Sequence, residues 1–342
     1  MSALKDAEEG LMNYQELIKP YLVEYEDKPT LTVSRIIYEC HKDAFHSLEH
    51  VRGVVRYARA NHGNKNRSTL KDKSLARPNG TQSDFSLNLP DPIVEITKWE
   101  TIKINESKTL ILSDVHLPYF DKFALELALQ KGRDEGCTAI LLNGDVLDIY
   151  SESKYVKNPA LRDMAKERDI ACLVLDEIRE MFPDAKIWLK LGNHEERLEL
   201  AIWSKNPHYV NLKEMSIEGM FRLKDMDITC IKDRKPVRIG ALYIVHGHEF
   251  PGGIFAPVNP ARTYFLKAKV CVLGAHLHRT SEHAENTLSD KIISAWSTGC
   301  LCNLHPKYSP INQWNHGFAI IEKLKGENFK VNNYKIIEGV VY

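Results

Sequence analysis

The sequence predicts a mixed α/β protein whose chemistry-bearing residues sit where buried strands end. Five apolar runs, Thr109 to Ser113, Ala139 to Asn143, Ile187 to Leu191, Ala241 to Val245 and Val270 to Leu273, are bounded by polar or glycine residues, as buried strands are. Each leads into a short polar constellation: Asp114-Val115-His116, Gly144-Asp145, Gly192-Asn193-His194-Glu195, His246-Gly247-His248 and His276-Leu277-His278. Helical segments fall between them, notably Lys122 to Lys131 and Leu161 to Met181, the latter with Pro183 beyond its end. In layered sheet proteins the loops at one sheet edge converge, so residues distant in sequence can share one cleft.

The elements ahead of the first constellation read differently. Residues 1–30 hold seven acids against three lysines, whereas Arg52 to Arg77 holds eight basic residues against one acid, Asp72. Thr32 to Cys40 is a short candidate helix, His41 to His46 a turn, and Ser47 an N-cap for a second helix ending before Gly63. On that second helix Val51, Val54, Val55 and Ala58 mark one face, and Arg52, Arg56 and Arg59 another. This pair resembles a helix-turn-helix, in which the second helix enters the DNA major groove, and makes the three arginines candidate nucleic-acid contacts. An arginine stripe is also what an ordinary solvated helix face carries. Residues 1–68 are therefore expected to form a small helical unit and 69–92, rich in Asn, Lys, Ser, Asp, Gly and Pro, a linker. Residues 93–342 would be the main domain, with Ile93 to Ile104 as a lead-in hairpin and Glu285 to Tyr342 closing a second sheet.

Composition sets outer limits. Lysine plus arginine equals aspartate plus glutamate, 46 each, so no overall field steers the chain toward a polyanion. No run of about 18 apolar residues exists to span a membrane, and Met1 to Gly10 lacks the basic-then-apolar pattern of a signal peptide; a cytoplasmic protein, of a bacterial or phage-infected cell, is expected. The seven cysteines lack zinc-ribbon spacing and read as reduced thiols; Cys300 and Cys302, as C-x-C near Gly299, are candidates to flank the cleft, read as packing residues ahead of ligands.

Carboxylates, imidazoles and one amide at strand ends are the donors that a hard or borderline divalent cation takes, and a two-metal phosphoester site needs one donor shared by both ions. The order D-x-H, G-D, G-N-H-E, H and H-x-H, from about residue 108 to about 322, resembles the calcineurin-like metallophosphoesterase superfamily. The longer phrases, Ser113 to Tyr119, Asn143 to Asp148 and Gly192 to Leu198, look closer to a bacteriophage-associated branch than to the animal protein phosphatases. The resemblance implies a four-layer αββα sandwich, to which the small helical unit read from residues 1–68 would be an N-terminal addition. It implies that Asp114, His116, Asp145 and His278 hold one ion, and Asp145, Asn193, His246 and His276 the other. The ions would be manganese, iron, zinc or nickel, manganese being favoured, and would activate a hydroxide nucleophile. His194 would serve the leaving group, with Asp148 orienting it, so that Asp148→Asn should lower turnover and leave metal content intact. Two positions depart from the pattern: Ala275 stands where glycine usually precedes H-x-H, and Ile149 where protein phosphatases place a phosphate-binding arginine.

Plainer readings accompany several residues. His248, Arg197 and Arg262 are candidate substrate contacts, although a solvated helix face accounts equally for the arginines. Glu195 and Glu196 suit the first turn of a helix, where acids are favoured. His305 and His316 border the cleft or are ordinary satisfied histidines. The expected activity is hydrolysis of a phosphoester, with a phosphodiester or nucleic-acid substrate, DNA or RNA, favoured. The alternatives are a phosphomonoesterase acting on nucleotides or other small phosphates, and a non-catalytic DNA-binding scaffold with structural metals.

Overall fold

The computed structural model describes residues 14–61, 99–155, 158–251 and 257–342, and the chain divides into two compact units, Met1–Thr97 and Lys98–Tyr342. In the first unit three helices, α1 (Tyr14–Glu24), α2 (Thr30–Cys40) and α3 (Leu48–Ala58), bury Ile18, Leu22, Val33, Ile37, Phe45, Val51, Val55 and Ala58 in one core. The Ser47 side chain caps α3 by accepting from the His50 N–H at 3.2 Å. Helix α1 escapes the sequence reading because Pro20 lies inside it and only Ile18 and Leu22 are fully buried on it. Gly63, the linker and Ile93 to Ile96 lie outside the described residues.

One expectation is overturned here. Arg59 does not belong to an exposed stripe; it is 2% exposed and its guanidinium donates to the carbonyl oxygens of Lys28 (2.8 Å) and Tyr25 (2.9 Å). Those carbonyls belong to the turn between α1 and α2 and need donors once buried, so Arg59 closes that turn and is withdrawn from any nucleic-acid face. Arg52 is half-buried and pairs with Glu49 at 3.4 Å, and Arg56 is half-buried in the last turn of α3.

The second unit is built on two mixed sheets. One has the strand order β13-β12-β11-β2-β3-β4-β5: β2 is Lys108–Leu112, β3 Ala139–Asn143, β4 Lys186–Lys190, β5 Ile228–Ile231, β11 His316–Lys323, β12 Phe329–Ile337 and β13 Val340–Val341. The other has the order β1-β6-β7-β8-β10-β9: β1 is Ile102–Lys103, β6 Val237–Ile239, β7 Leu242–Ile244, β8 Val272–Gly274, β9 Ser281–Asn286 and β10 Ile292–Ser297.

Strand alternation explains the layering. Leu110, Leu112, Ile140 and Leu142 face outward, onto α4 (Lys122–Asp134) and α5 (Met164–Met181), whereas Ile111, Ala139 and Leu141 face inward, onto Val237, Ile239, Leu242, Ile244 and Leu273 of the second sheet. Helix α7 (Pro260–Ala268) covers the far side through Ala261 and Tyr264. The result is the αββα sandwich. Each fully buried Leu or Ile contributes roughly 1.5–3 kcal/mol, and the central strands are lined with them on both faces.

Strand β1 pairs in parallel with β6, which places Ile102 and Lys103 in the second sheet, while the other half of the expected lead-in hairpin lies outside the described residues. One C-terminal expectation is corrected. Only β9 and β10 of the C-terminal region close the second sheet; β11 runs antiparallel to β2 and carries β12 and β13 into the first. The reason lies in β11 itself, where Phe318 and Ile320 join the helix-facing core and Ala319 and Ile321 the inter-sheet core, so the strand needs cover on both sides.

Candidate metal centre

The loops that leave β2, β3, β4, β7 and β8 bring the five constellations together. His278 Nε2 lies 3.1 Å from Asp114 Oδ1 and 3.3 Å from His116 Nε2. Around Asp145, Oδ2 is 3.3 Å from His246 Nε2, 3.7 Å from His194 Nε2 and 4.0 Å from His276 Nδ1. Asp145 is thus common to two groups of metal-capable side chains, one with His116 and His194 and one with His246 and His276; a third group joins His116, His278 and Cys302.

The backbone at these positions is unusual. Asp114, His116, Asp145, His276 and His278 all have left-handed φ, between 50° and 65°. Such a conformation costs a non-glycine residue on the order of 1 kcal/mol or more and clusters at functional sites. Close approach adds a second constraint: a Cβ on Gly144 would run into the His246 ring, and one on Gly192 into the Asp145 carboxylate. Ala275, by contrast, has no positive φ, is fully buried and donates its N–H to His246 O at 2.7 Å, so alanine serves there as well as glycine.

Two buried glutamates hold the loops. Glu195 is 1% exposed, and its carboxylate accepts four backbone N–H groups, from Asp145 (3.0 Å), Val146 (2.8 Å), Leu147 (2.8 Å) and Gly192 (2.8 Å). It is therefore not a solvated first-turn acid; α6 (Glu196–Lys205) starts one residue later, and the Glu195 side chain points back into the loops. Glu249 accepts from the N–H groups of His246 (3.0 Å) and Gly247 (2.6 Å) and pairs with the fully buried Lys190 at 2.8 Å. Sequence reasoning passed over the Lys190–Glu249 pair. The available signal was a lone cation inside the apolar run Ile187 to Leu191, since a buried lysine requires a partner.

The electrostatics follow from this packing. Burial would keep Asp145 protonated, but the charges of His194 and His246 hold it well below the usual carboxylate range. Burial likewise opposes charge on His246 and His116, yet Asp145 and Asp114 raise His246 to about 10, and Asp148 raises His116 to about 9. A cluster that draws protons onto imidazoles this strongly is one that favours cations. His276 goes the other way, to about 4, because burial and the neighbouring His246 disfavour a second charge.

The donors fit divalent ions. Asn193 Oδ1 is buried without a hydrogen-bond partner, and Asp114 Oδ1 and His246 Nε2 make no well-aligned hydrogen bond although His278 Nε2 and Asp145 Oδ2 lie 3.1 and 3.3 Å away; an unmet buried donor or acceptor is costly unless something else satisfies it. All three belong to the set expected to ligate, which offers carboxylate, amide and imidazole donors.

Beside this cluster stand His194, Asp148 and Arg197. Asp148 Oδ1 lies 2.8 Å from His194 Nδ1 and 2.9 Å from His116 Nδ1, so one oxygen orients two rings. That modifies the expectation for Asp148→Asn: a residue bonded to His116 cannot be changed without touching the ligand set. Arg197 donates to Asp148 O at 2.9 Å and to His194 Nε2 at 2.6 Å. Burial lowers the His194 pKa, Asp145 opposes that shift, and His116 reinforces it.

The remaining candidates are placed elsewhere or one layer out. His248 Nε2 meets Glu196 Oε1 at 3.1 Å, and Glu196 in turn holds Arg234 at 2.7 Å. Arg262 is exposed near the start of α7, where its N–H donates to the Asn259 cap at 3.1 Å. His305 is exposed and bonds Pro310 O, while His316 bonds Cys302 O at 3.0 Å. Ile149 is 1% exposed and packs in the helix-facing core. No helix among the described residues is long and apolar enough to cross a membrane.

A family model described as calcineurin-like phosphoesterase matches residues 107–297. Solved structures similar to the chain include a single mutant of Vps29 from Entamoeba histolytica, 12% identical over 69% of this chain and 96% of that one, with a TM-score of 0.36. They also include YfcE, a phosphoesterase from E. coli, 13% identical over 65% of this chain and 93% of that one, TM-score 0.31. A dimetal phosphatase from Danio rerio is 10% identical over 67% of this chain and 99% of that one, TM-score 0.34. No curated protein matches the chain at a significant level.

Proposed function

The chain belongs to the calcineurin-like phosphoesterase family and is a metal-dependent phosphoesterase, and from that premise we propose that it hydrolyses phosphodiesters, with a nucleic-acid strand as the favoured substrate. The observation that carries the reading is the shared position of Asp145 between two groups of metal-capable side chains, together with the buried Asn193 Oδ1 that has no hydrogen-bond partner. Asp114, His116, Asp145 and His278 would hold one ion, and Asp145, Asn193, His246 and His276 the other, with manganese the first metal to try. Bound ions would supply Lewis-acid charge at the phosphoryl oxygens and a water of lowered pKa.

The protein's own groups do the rest. Asp148 accepts from Nδ1 of His194, which leaves Nε2 as the atom at which a proton is held or moved. Arg197 occupies Nε2 without substrate; a phosphate oxygen is the better acceptor for its guanidinium and would draw it away. The negative charge of that phosphate would also raise the affinity of His194 for the proton it passes to the departing oxygen.

The diester preference rests on charge and on rings. A monoester carries close to two charges and a diester one. Arg197 is the guanidinium beside His194, and Ile149 fills the place of a second cation. Trp314 packs on His278 with ring centroids 4.1 Å apart, Tyr308 stands 6.3 Å beyond it, and Tyr308 is 68% exposed, so a stacking platform borders the cluster as an unstacked base would require. Arg52 and Arg56 of α3 remain candidate contacts to a longer strand.

The test is hydrolysis of bis(p-nitrophenyl) phosphate beside p-nitrophenyl phosphate, with manganese restored to metal-stripped protein and His194→Ala as control. Preference for the diester, lost in the variant, is the expected result. Preference for the monoester would move the assignment to nucleotide or small-phosphate phosphatases. No turnover of either with metal bound would leave a scaffold with structural metals.

A further inference from the structure

Cys302 faces the same cluster as the expected ligands. It is 4% exposed, and its Sγ lies within 4.8 Å of a ring nitrogen of both His116 and His278, which are themselves mutually within that distance. We propose that Cys302 is a thiolate ligand of the ion held by Asp114, His116, Asp145 and His278, so that the two metal positions differ in softness. This inference rests on the two-ion reading of the site.

Several observations support it. The backbone fixes the thiol in place, because the residues on either side of Cys302 are tied to the Asp114 loop: Leu301 N–H donates to Asp114 O at 3.0 Å and Asn303 N–H to Tyr119 O at 3.0 Å. The carbonyl of Cys302 accepts from His316 at 3.0 Å. A buried cysteine with only a packing role sits among apolar groups, whereas this one faces two imidazoles of the cluster. Cys300 serves as an internal contrast. It is as deeply buried, but its thiol approaches Asn315 O at 3.7 Å and it belongs to none of the ligating groups.

The chemistry balances simply. An ordinary thiol holds its proton at neutral pH when no cation is beside it. A divalent charge beside the sulfur reverses that preference; the S–H bond breaks, the proton leaves to water and a metal–sulfur bond forms. Thiolate favours zinc or ferrous iron over manganese. The position with Cys302 would therefore select a softer ion than the position with Asn193, His246 and His276, giving a mixed pair.

Cobalt(II) loaded to two ions per chain tests this without reliance on turnover. The expected spectrum has a near-ultraviolet sulfur-to-cobalt charge-transfer band that is lost in Cys302→Ser and kept in Cys300→Ser. Two bound cobalt ions with no such band would overturn the proposal and leave the two-ion reading intact, as would a band lost in Cys300→Ser and kept in Cys302→Ser. Failure to bind cobalt at all would defeat the two-ion reading, and this inference with it. Should Cys302→Ser fail to fold, X-ray absorption on the zinc-loaded natural chain reads the same bond: sulfur at about 2.3 Å is expected, and a shell of nitrogen and oxygen alone refutes it.

Discussion

On the first sheet the ligand loops are gathered by Glu195, which collects four backbone N–H groups; on the second they are gathered by Glu249, which collects two and a buried lysine. Burial and the charge of Asp145 raise the pKa of Glu195. Burial would raise Glu249 as well, but Lys190, first among its neighbours, brings it down to about 2. One half of the site is thus held by the number of its neutral donors and the other by charge. The first arrangement depends on loop geometry and on a carboxylate that burial and Asp145 make easier to protonate; the second depends on the joint ionisation of Glu249 and Lys190.

Asp145 spans both halves, so its loss should have the largest effect. Asp145→Ala is expected to lower kcat/KM for the diester by roughly 10³-fold or more, several kcal/mol of charge stabilisation being at stake. Activity within tenfold of the natural chain would dismiss the shared role.

Removing one glutamate at a time separates the halves. Glu195→Ala strands four buried N–H groups at about 1–3 kcal/mol for each that finds no water, and should cost roughly 3 kcal/mol or more of stability together with both ions. Glu249→Ala should spare the ion on Asp114, His116 and His278, leaving one metal per chain by atomic emission. Equal losses in the two variants would erase the distinction.

Asp148 sharpens it differently, as a third buried carboxylate that orients rings and not N–H groups. Asp148→Asn should lower turnover by about 10–100-fold and weaken metal affinity as well, because it disturbs both His194 and His116. Full metal affinity with impaired turnover would confine its role to His194.

The smallest effect concerns pH. A carboxylate lowered from about 4.3 in the unfolded chain to about 2 in the fold stabilises the protein above pH 4 and loses that contribution as pH falls from about 4 to 2. In metal-free protein, Glu249→Gln should flatten the dependence of the urea midpoint across that window, and Glu195→Gln should not. An unchanged slope in Glu249→Gln would contradict the charge-held half.

Much of the site was legible because its donors follow strands whose apolar runs are unmistakable; β3 ends at Asn143, where the run ends. His246 was marked by its place directly after a strand, whereas the roles of Asp114, Asp145 and His278 came from the resemblance of their motifs to the family. What was not legible depended on partners far along the chain. Arg59 lies on the polar side of α3 by spacing, and only the distant carbonyls of Tyr25 and Lys28 draw it inside. Glu195 looks like a helix-start acid, because residue type does not encode which backbone N–H groups a carboxylate will meet. Strand β11 is equally apolar whichever sheet it joins, so its pairing with β2 could not be read from its own sequence.

The left-handed residues of three of the motifs have an evolutionary consequence. At 114, 116, 145, 276 and 278 the backbone would rest more easily with glycine or asparagine than with the aspartates and histidines found there. Selection for folding alone would therefore erode these positions first. In a library sorted only for stability of the metal-free protein, glycine and asparagine should enrich at those five places, and the natural residues should return as soon as the sort demands catalysis.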